Sequence, residues 1–221
     1  TQIQQIMAES TIWFEAGLVE TGSDYVTAAS LDDGLQDKLL LQLVYEIQQT
    51  ILSSLVARGD ADSLVLHDMW ARKYASPFQD PAADEPQQHT QYLNPGDLNS
   101  DIRIHLWLSP PAPTALSTNG LIVYHAEPPA DFDPLQVPME EVVETLLKPT
   151  NFANTTVPHK LNRAVIFNSR LFHTRQEEYE SNPSVEPPTY PDKYPTELTI
   201  LYGPPSHDDE DDLEGVGGDE L

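Results

Sequence analysis

The chain has 221 residues, 39% of them hydrophobic, enough for one sizeable domain with a core of its own. Eleven Lys and Arg stand against 36 Asp and Glu, a formal charge of −25 that argues against a nucleic-acid partner, keeps the chain soluble and favours protein partners with a basic surface. Cysteine is absent, which removes disulfide scaffolds, zinc–thiolate sites and cysteine nucleophiles together, and no run reaches the ~20 apolar residues of a transmembrane span.

The chain begins at Thr1 rather than Met, so removal of a targeting segment, and with it an organellar destination, is one expectation; the sequence names no compartment. Residues 1–30 open with a weak helix, then Ser10-Thr-Ile-Trp-Phe14 and loops. Asp32-Asp33-Gly34 is placed to cap a helix whose apolar positions Leu35, Leu39, Leu43, Ile47, Ile51 and Leu55 recur at helical spacing, widened by Leu40, Val44 and Leu52. That stripe predicts a long helix packed on a sheet and ending near Arg58-Gly59. A short element with His67-Asp68-Met69-Trp70 leads to Lys73-Tyr74. Residues 76–100, rich in Pro, Asp, Gln and Asn, read as a long insertion.

Four β-like segments follow: Ile102–Leu108, Leu121–His125, Arg163–Phe167 and Glu197–Tyr202, with a short amphipathic helix over Pro138–Leu147 between the second and third. Twenty prolines, concentrated between strands, suit a barrel or sandwich with shaped loops. Residues 204–221 read as a disordered acidic tail.

The segment from Asn162 to His173 carries the clearest chemical signal. An apolar strand, Ala164 to Phe167, turns at Asn168-Ser169 and delivers His173 to its far side. Neutral imidazole is the commonest protein ligand for metals such as iron and zinc, and a rigid strand end holds it well. This stretch, with Trp70-Ala-Arg-Lys-Tyr74, Leu106-Trp-Leu-Ser-Pro110, Asn119-Gly-Leu-Ile-Val-Tyr124, Glu127-Pro-Pro-Ala-Asp131 and Leu201-Tyr-Gly203 in that order, resembles a group of 2-oxoglutarate/Fe(II) dioxygenase-like proteins. The resemblance implies a mainly β (α+β) fold over residues 1–203: a double-stranded β-helix, jelly-roll or cupin-like, with a long N-terminal packing helix and long loops.

An active member needs a His-x-Asp/Glu pair, a distal histidine and a basic residue for the far carboxylate of 2-oxoglutarate. By the resemblance the distal histidine is His173. The His-x-Asp positions, counted back from Trp107, fall on Gly96 and Leu98, neither of which ligates through a side chain. Asp97 is the adjacent carboxylate, and His89 is a replacement imidazole if the insertion folds back. The family's basic residues before its last strand fall on Tyr194 and Pro195, with Lys193 the nearest cation. The resemblance thus implies the fold with a degenerate metal site.

A competing triad is His125 and Glu127, a literal His-x-Glu, with His173; its plainer reading is a solvent-facing strand end before the Pro128-Pro129 turn. In β-alternation Arg103, His105 and Trp107 share one face, and in the related proteins the first two positions face the barrel interior. Arg103 and His105 either bind an anion or a metal together with His173, or do something plainer: Arg103 pairs with an acid such as Asp101, and His105 makes a local hydrogen bond. Ser169 lacks the partners of a hydrolase nucleophile.

The expectation is a non-catalytic oxygenase-fold protein without cofactor, a binding or structural subunit of a larger assembly. The alternative is an Fe(II)/2-oxoglutarate hydroxylase using His173 with Asp97 and His89, or with His125 and Glu127, and Lys193 or Arg175 for the cosubstrate. A cupin-like small-ligand binder without iron is a third reading.

Overall fold

The computed structural model describes residues 2–9, 13–15, 25–28, 31, 34–55, 64–74, 93–94, 96–110, 120–130, 132–133, 136–176 and 196–205. Among them lie ten strands: β1 (Trp13–Glu15), β2 (Tyr25–Ala28), β3 (Val65–Tyr74), β4 (Leu93–Asn94), β5 (Ile102–Trp107), β6 (Gly120–Tyr124), β7 (Asn154–Pro158), β8 (Ala164–Asn168), β9 (His173–Gln176) and β10 (Thr196–Gly203). They form two antiparallel sheets, ordered β1-β2-β3-β10-β5-β8 and β4-β9-β6-β7.

This order has a simple origin. β6 pairs with β7, β5 with β8, β4 with β9 and β3 with β10, as in one long hairpin. The doubled ribbon winds so that β10 also pairs with β5, and β9 with β6. An eight-stranded antiparallel ribbon wound in this way is the double-stranded β-helix, or jelly roll. The fold is therefore the one that the motif order implies, with β1 and β2 extending one sheet.

Alternation along each strand sorts the side chains into three layers. On the outer face of the larger sheet, Met69, Ala71, Ile104, Leu198, Ile200 and Tyr202 pack on Met7, Leu40, Val44, Ile47 and Leu52 of the helices. Leu40 and Leu52 are wholly buried, each worth about 1.5–3 kcal/mol of apolar burial. The Tyr202 hydroxyl donates to the Val44 carbonyl at 2.8 Å, tying the last strand to the helix. On the outer face of the smaller sheet, Leu93 and Phe172 pack on Phe132, Val142 and Leu147. Between the sheets Trp107, Leu121 and Val123 form an apolar floor beside Val157, Val165 and Phe167.

The helices follow the apolar stripe, with one change of boundary. The first is α1 (Gln2–Glu9); the long one is α2 (Lys38–Glu46), continued by a π-helical turn over Ile47–Leu52 and by α3 (Ser53–Leu55). The residue that caps it is Asp37, not the Asp32-Asp33-Gly34 step: Asp37 is extended and its Oδ1 accepts from Leu39 N at 2.8 Å. Leu35 is buried in the core, so the chain runs inward through it before the helix can start. α4 (Met139–Val142), extended by a π-helical turn over Val143–Leu147, covers the smaller sheet as expected. The short element at His67 is part of the ten-residue β3. Most of the 76–100 insertion, residues 206–221 of the acidic tail and Arg58-Gly59 lie outside the described residues.

Candidate functional site

The lumen between the sheets is lined by polar side chains of alternate residues. Arg103 and His105 on β5 share a face with Trp107, as the alternation predicts; β10 sets Glu197 opposite Trp107 and Thr199 opposite His105. β3 adds Trp70 opposite Thr199 and Arg72 opposite Glu197. From the facing sheet, β9 contributes His173, opposite Val123, and Arg175, opposite Leu121.

His173 stands at the first residue of β9, after the turn that follows Asn168. Its Nδ1–H donates to the Leu171 carbonyl at 3.0 Å, which leaves the Nε2 lone pair facing the lumen. Arg103 Nη1 donates to that lone pair at 2.5 Å. Phe167 meets the imidazole edge-on at 5.3 Å between ring centroids. Burial, and then the Arg103 charge, hold the His173 pKa well below 6.5, so the ring is neutral at physiological pH.

Arg103 is only 4% exposed. Burial pulls its pKa down to about 10; the Asp97 carboxylate opposes this and Arg72 reinforces it. The guanidinium remains charged at neutral pH, and its Cζ lies 5.6 Å from the Trp70 ring centroid. Asp101, the acid expected beside it, is exposed, and the hydrogen-bond partner of Arg103 is instead an imidazole on the facing sheet.

His105 Nε2 contacts Glu197 Oε2 at 2.8 Å, and Arg175 Nη1 lies 3.8 Å from the same oxygen. Glu197 thus links the sheets at a second level of the lumen. Deeper still, Trp107 stacks on His159, with centroids 5.0 Å apart, and His159 Nε2 bonds the Ser109 carbonyl at 2.9 Å.

The other candidates are placed as follows. Asp97 turns back on its own loop, Oδ1 accepting from Asn99 N at 2.8 Å, while its charge acts on Arg103. Opposite His173 across the β4–β9 ladder stands Asn94, whose Oδ1 accepts from Gly96 N at 2.9 Å. Gly96 has φ +81°, and a Cβ there would lie 2.6 Å from the Ser169 carbonyl oxygen, so the position admits no side chain. His125 and Glu127 are exposed: His125 Nε2 pairs with Thr155 Oγ1 at 2.9 Å, and Glu127 accepts from Asn168 at 2.8 Å. His89, Lys193, Tyr194 and Pro195 lie outside the described residues. Among the described residues no three His, Asp or Glu are grouped to hold a metal ion.

Sequence reading assigns no site role to Glu197, Trp70, Arg72 or Asn94, although Trp70-Ala-Arg-Lys-Tyr74 is one of the motifs that carry the resemblance. The alternation in Trp70-Ala-Arg72 is a usable signal for two of them. Glu197 and Asn94 acquire a role only through pairing with distant strands, which no local pattern reveals.

No known protein-family pattern matches the chain, and no curated protein matches it. Solved structures similar to it include the non-heme alpha ketoglutarate dependent carbocyclase SnoK from nogalamycin biosynthesis, at 13% identity and TM-score 0.46 over 99% of this chain and 81% of that one. The epimerase SnoN in complex with Fe3+, alpha ketoglutarate and nogalamycin RO is similar at 11% identity and TM-score 0.44, over 100% and 81%. EvdMO1 is similar at 15% identity and TM-score 0.46, over 93% and 42%. At these values the fold assignment rests on the strand order of this chain itself. Among the described residues no helix is long and apolar enough to cross a membrane.

Proposed function

We propose that this chain is a non-catalytic protein on the oxygenase fold, serving as a binding or structural subunit of a larger assembly. One observation carries the reading: Arg103 Nη1 donates into the Nε2 lone pair of His173. A lone pair engaged by a guanidinium is not available to a metal ion. The neighbouring positions agree, since Asn94 faces His173 across the ladder and Gly96 admits no side chain. Among the described residues the lining of the lumen does not fit iron.

Two surface features support a partner. The charge of −25 favours a basic neighbour, and α2 with its π-helical turn exposes Leu41, Tyr45 and Ile51, with Tyr45 62% exposed. The test is anaerobic loading of natively purified protein with Fe(II) and 2-oxoglutarate, alongside its native mass. No iron uptake, no charge-transfer band and a stoichiometric complex are expected. A solitary monomer that takes up one iron would overturn the reading.

One feature favours the alternative of an Fe(II)/2-oxoglutarate hydroxylase with rearranged ligands. The Leu171 carbonyl fixes His173 in the tautomer that presents Nε2, as the partner of a metal-bound histidine does. Metal content that stays unchanged in His173→Ala would eliminate that alternative.

A further inference from the structure

Inside the barrel, Trp70 Nε1, Arg103 Nε and His105 Nδ1 are shielded from solvent and meet no hydrogen-bond partner among the described residues. Buried polar atoms are satisfied in the great majority of cases, so three in one lumen call for an explanation. The indole Nε1 and the guanidinium Nε are donors only, so whatever satisfies them is an acceptor. They also belong together. The Arg103 and Arg72 guanidinium carbons lie 5.6 and 5.7 Å from the centroid of the same Trp70 ring.

The charge in the lumen points the same way. A chain with 11 basic residues against 36 acidic ones places Arg72, Arg103 and Arg175 on inward-facing positions of three strands. Among the described residues the acid between them is Glu197, engaged by His105 and Arg175, and Asp97 acts on Arg103 from the adjoining loop. With Nη1 committed to His173, Arg103 still has its Nε–H to offer, and the Trp70 N–H belongs to the ring it lies against.

We propose that the lumen is a metal-independent site for a small organic carboxylate, held by Arg103 Nε–H and Trp70 Nε1–H within the field of Arg72. The inference rests on the reading of the lumen as a site without iron. A carboxylate suits these donors because its two oxygens take one N–H each and its single charge offsets one guanidinium. Phosphate, with two further oxygens and up to two charges, would need more donors than these two. Its donors stand on β3 and β5, whereas the basic residues of the resembled family fall at Tyr194 and Pro195 of the sequence.

The experiment is a titration of the 15N-labelled full chain, dialysed against EDTA, with acetate, succinate and inorganic phosphate in turn. Trp70→Phe identifies the Trp70 indole resonance and removes the donor while keeping a ring. Acetate or succinate is expected to move that resonance, and Trp70→Phe and Arg103→Lys each to weaken calorimetric binding by about tenfold, the loss of one hydrogen bond to a charged group. Backbone amide dispersion checks that both variants are folded. The proposal is overturned if no indole resonance responds to either carboxylate, if both folded variants bind like the parent, or if phosphate binds in preference to both carboxylates. Stoichiometric Fe(II) uptake in a separate anaerobic loading would remove the non-catalytic reading, whereas a silent titration without iron uptake removes the carboxylate site alone.

Discussion

Arg103 and His173 sit on different sheets and share one hydrogen bond across the lumen, at 2.5 Å, in which the cation is the donor and a neutral ring the acceptor. The bond is chemically lopsided. Removing His173 strands a buried charge, while removing Arg103 strands only a neutral lone pair.

The first prediction follows from that asymmetry. His173→Phe is expected to cost about 3–5 kcal/mol of stability, as for a buried charge deprived of its partner. Arg103→Met is expected to cost about 1–3 kcal/mol, as for one unsatisfied neutral acceptor. Urea unfolding of the two variants checks the order; equal losses would refute it.

Acid sensitivity comes from two histidines. Burial is the main cause that holds His173 well below 6.5 and His159 below it. As pH falls through 6.5 the unfolded chain takes up these protons and the folded chain does not. Their contribution is therefore complete above that value and is lost toward the depressed folded values. Unfolding midpoints measured between about pH 8 and pH 5 should fall with pH, and less steeply in His159→Phe, which keeps a ring against Trp107.

Gly96 supplies a backbone test. Gly96→Ala brings a Cβ against the Ser169 and Arg170 backbone at a positive φ, and is expected to cost about 1–3 kcal/mol. Differential scanning calorimetry should show a drop of about 2–4 °C per kcal/mol for a chain of this size. An unchanged midpoint would mean that the loop from Asn94 to Asp97 yields easily.

The exposed face of α2 separates folding from association. Leu41→Glu with Tyr45→Glu is expected to leave stability within about 0.5 kcal/mol per site, because both side chains are exposed. The same pair should abolish the stoichiometric complex expected on native purification. A complex that survives them places the interface elsewhere.

Legibility in the sequence tracked side-chain pattern. β5, β6, β8 and β10 carry β-branched and aromatic runs and were readable. β7, Asn154–Pro158, is almost wholly exposed and polar, so it has no apolar signature. β4 has two residues, and the charges of Arg72 and Lys73 disguise the length of β3. His173 was legible because a turn and an apolar strand announce it. The partner of Arg103 was not, since an acid one or two residues away is the ordinary expectation for a buried arginine. Here the partner lies 70 residues further on, and only the closing of two sheets brings it within reach.

The nested pairing also dictates an order of events during folding. The β6–β7 pair needs only the segment carrying α4 between its strands, whereas Gly203 meets Val65 only after every strand from β4 to β9 has been laid down. Closing long loops is entropically costly until interior contacts reward it, so such topologies fold on the millisecond-to-second scale. The ribbon is expected to zip outward from β6–β7, with β3–β10 pairing last. Arg103 and His173 both precede that final step, so the lumen stays open to water until its last wall is in place and Arg103 loses hydration only when Trp70 and His173 are there to receive it.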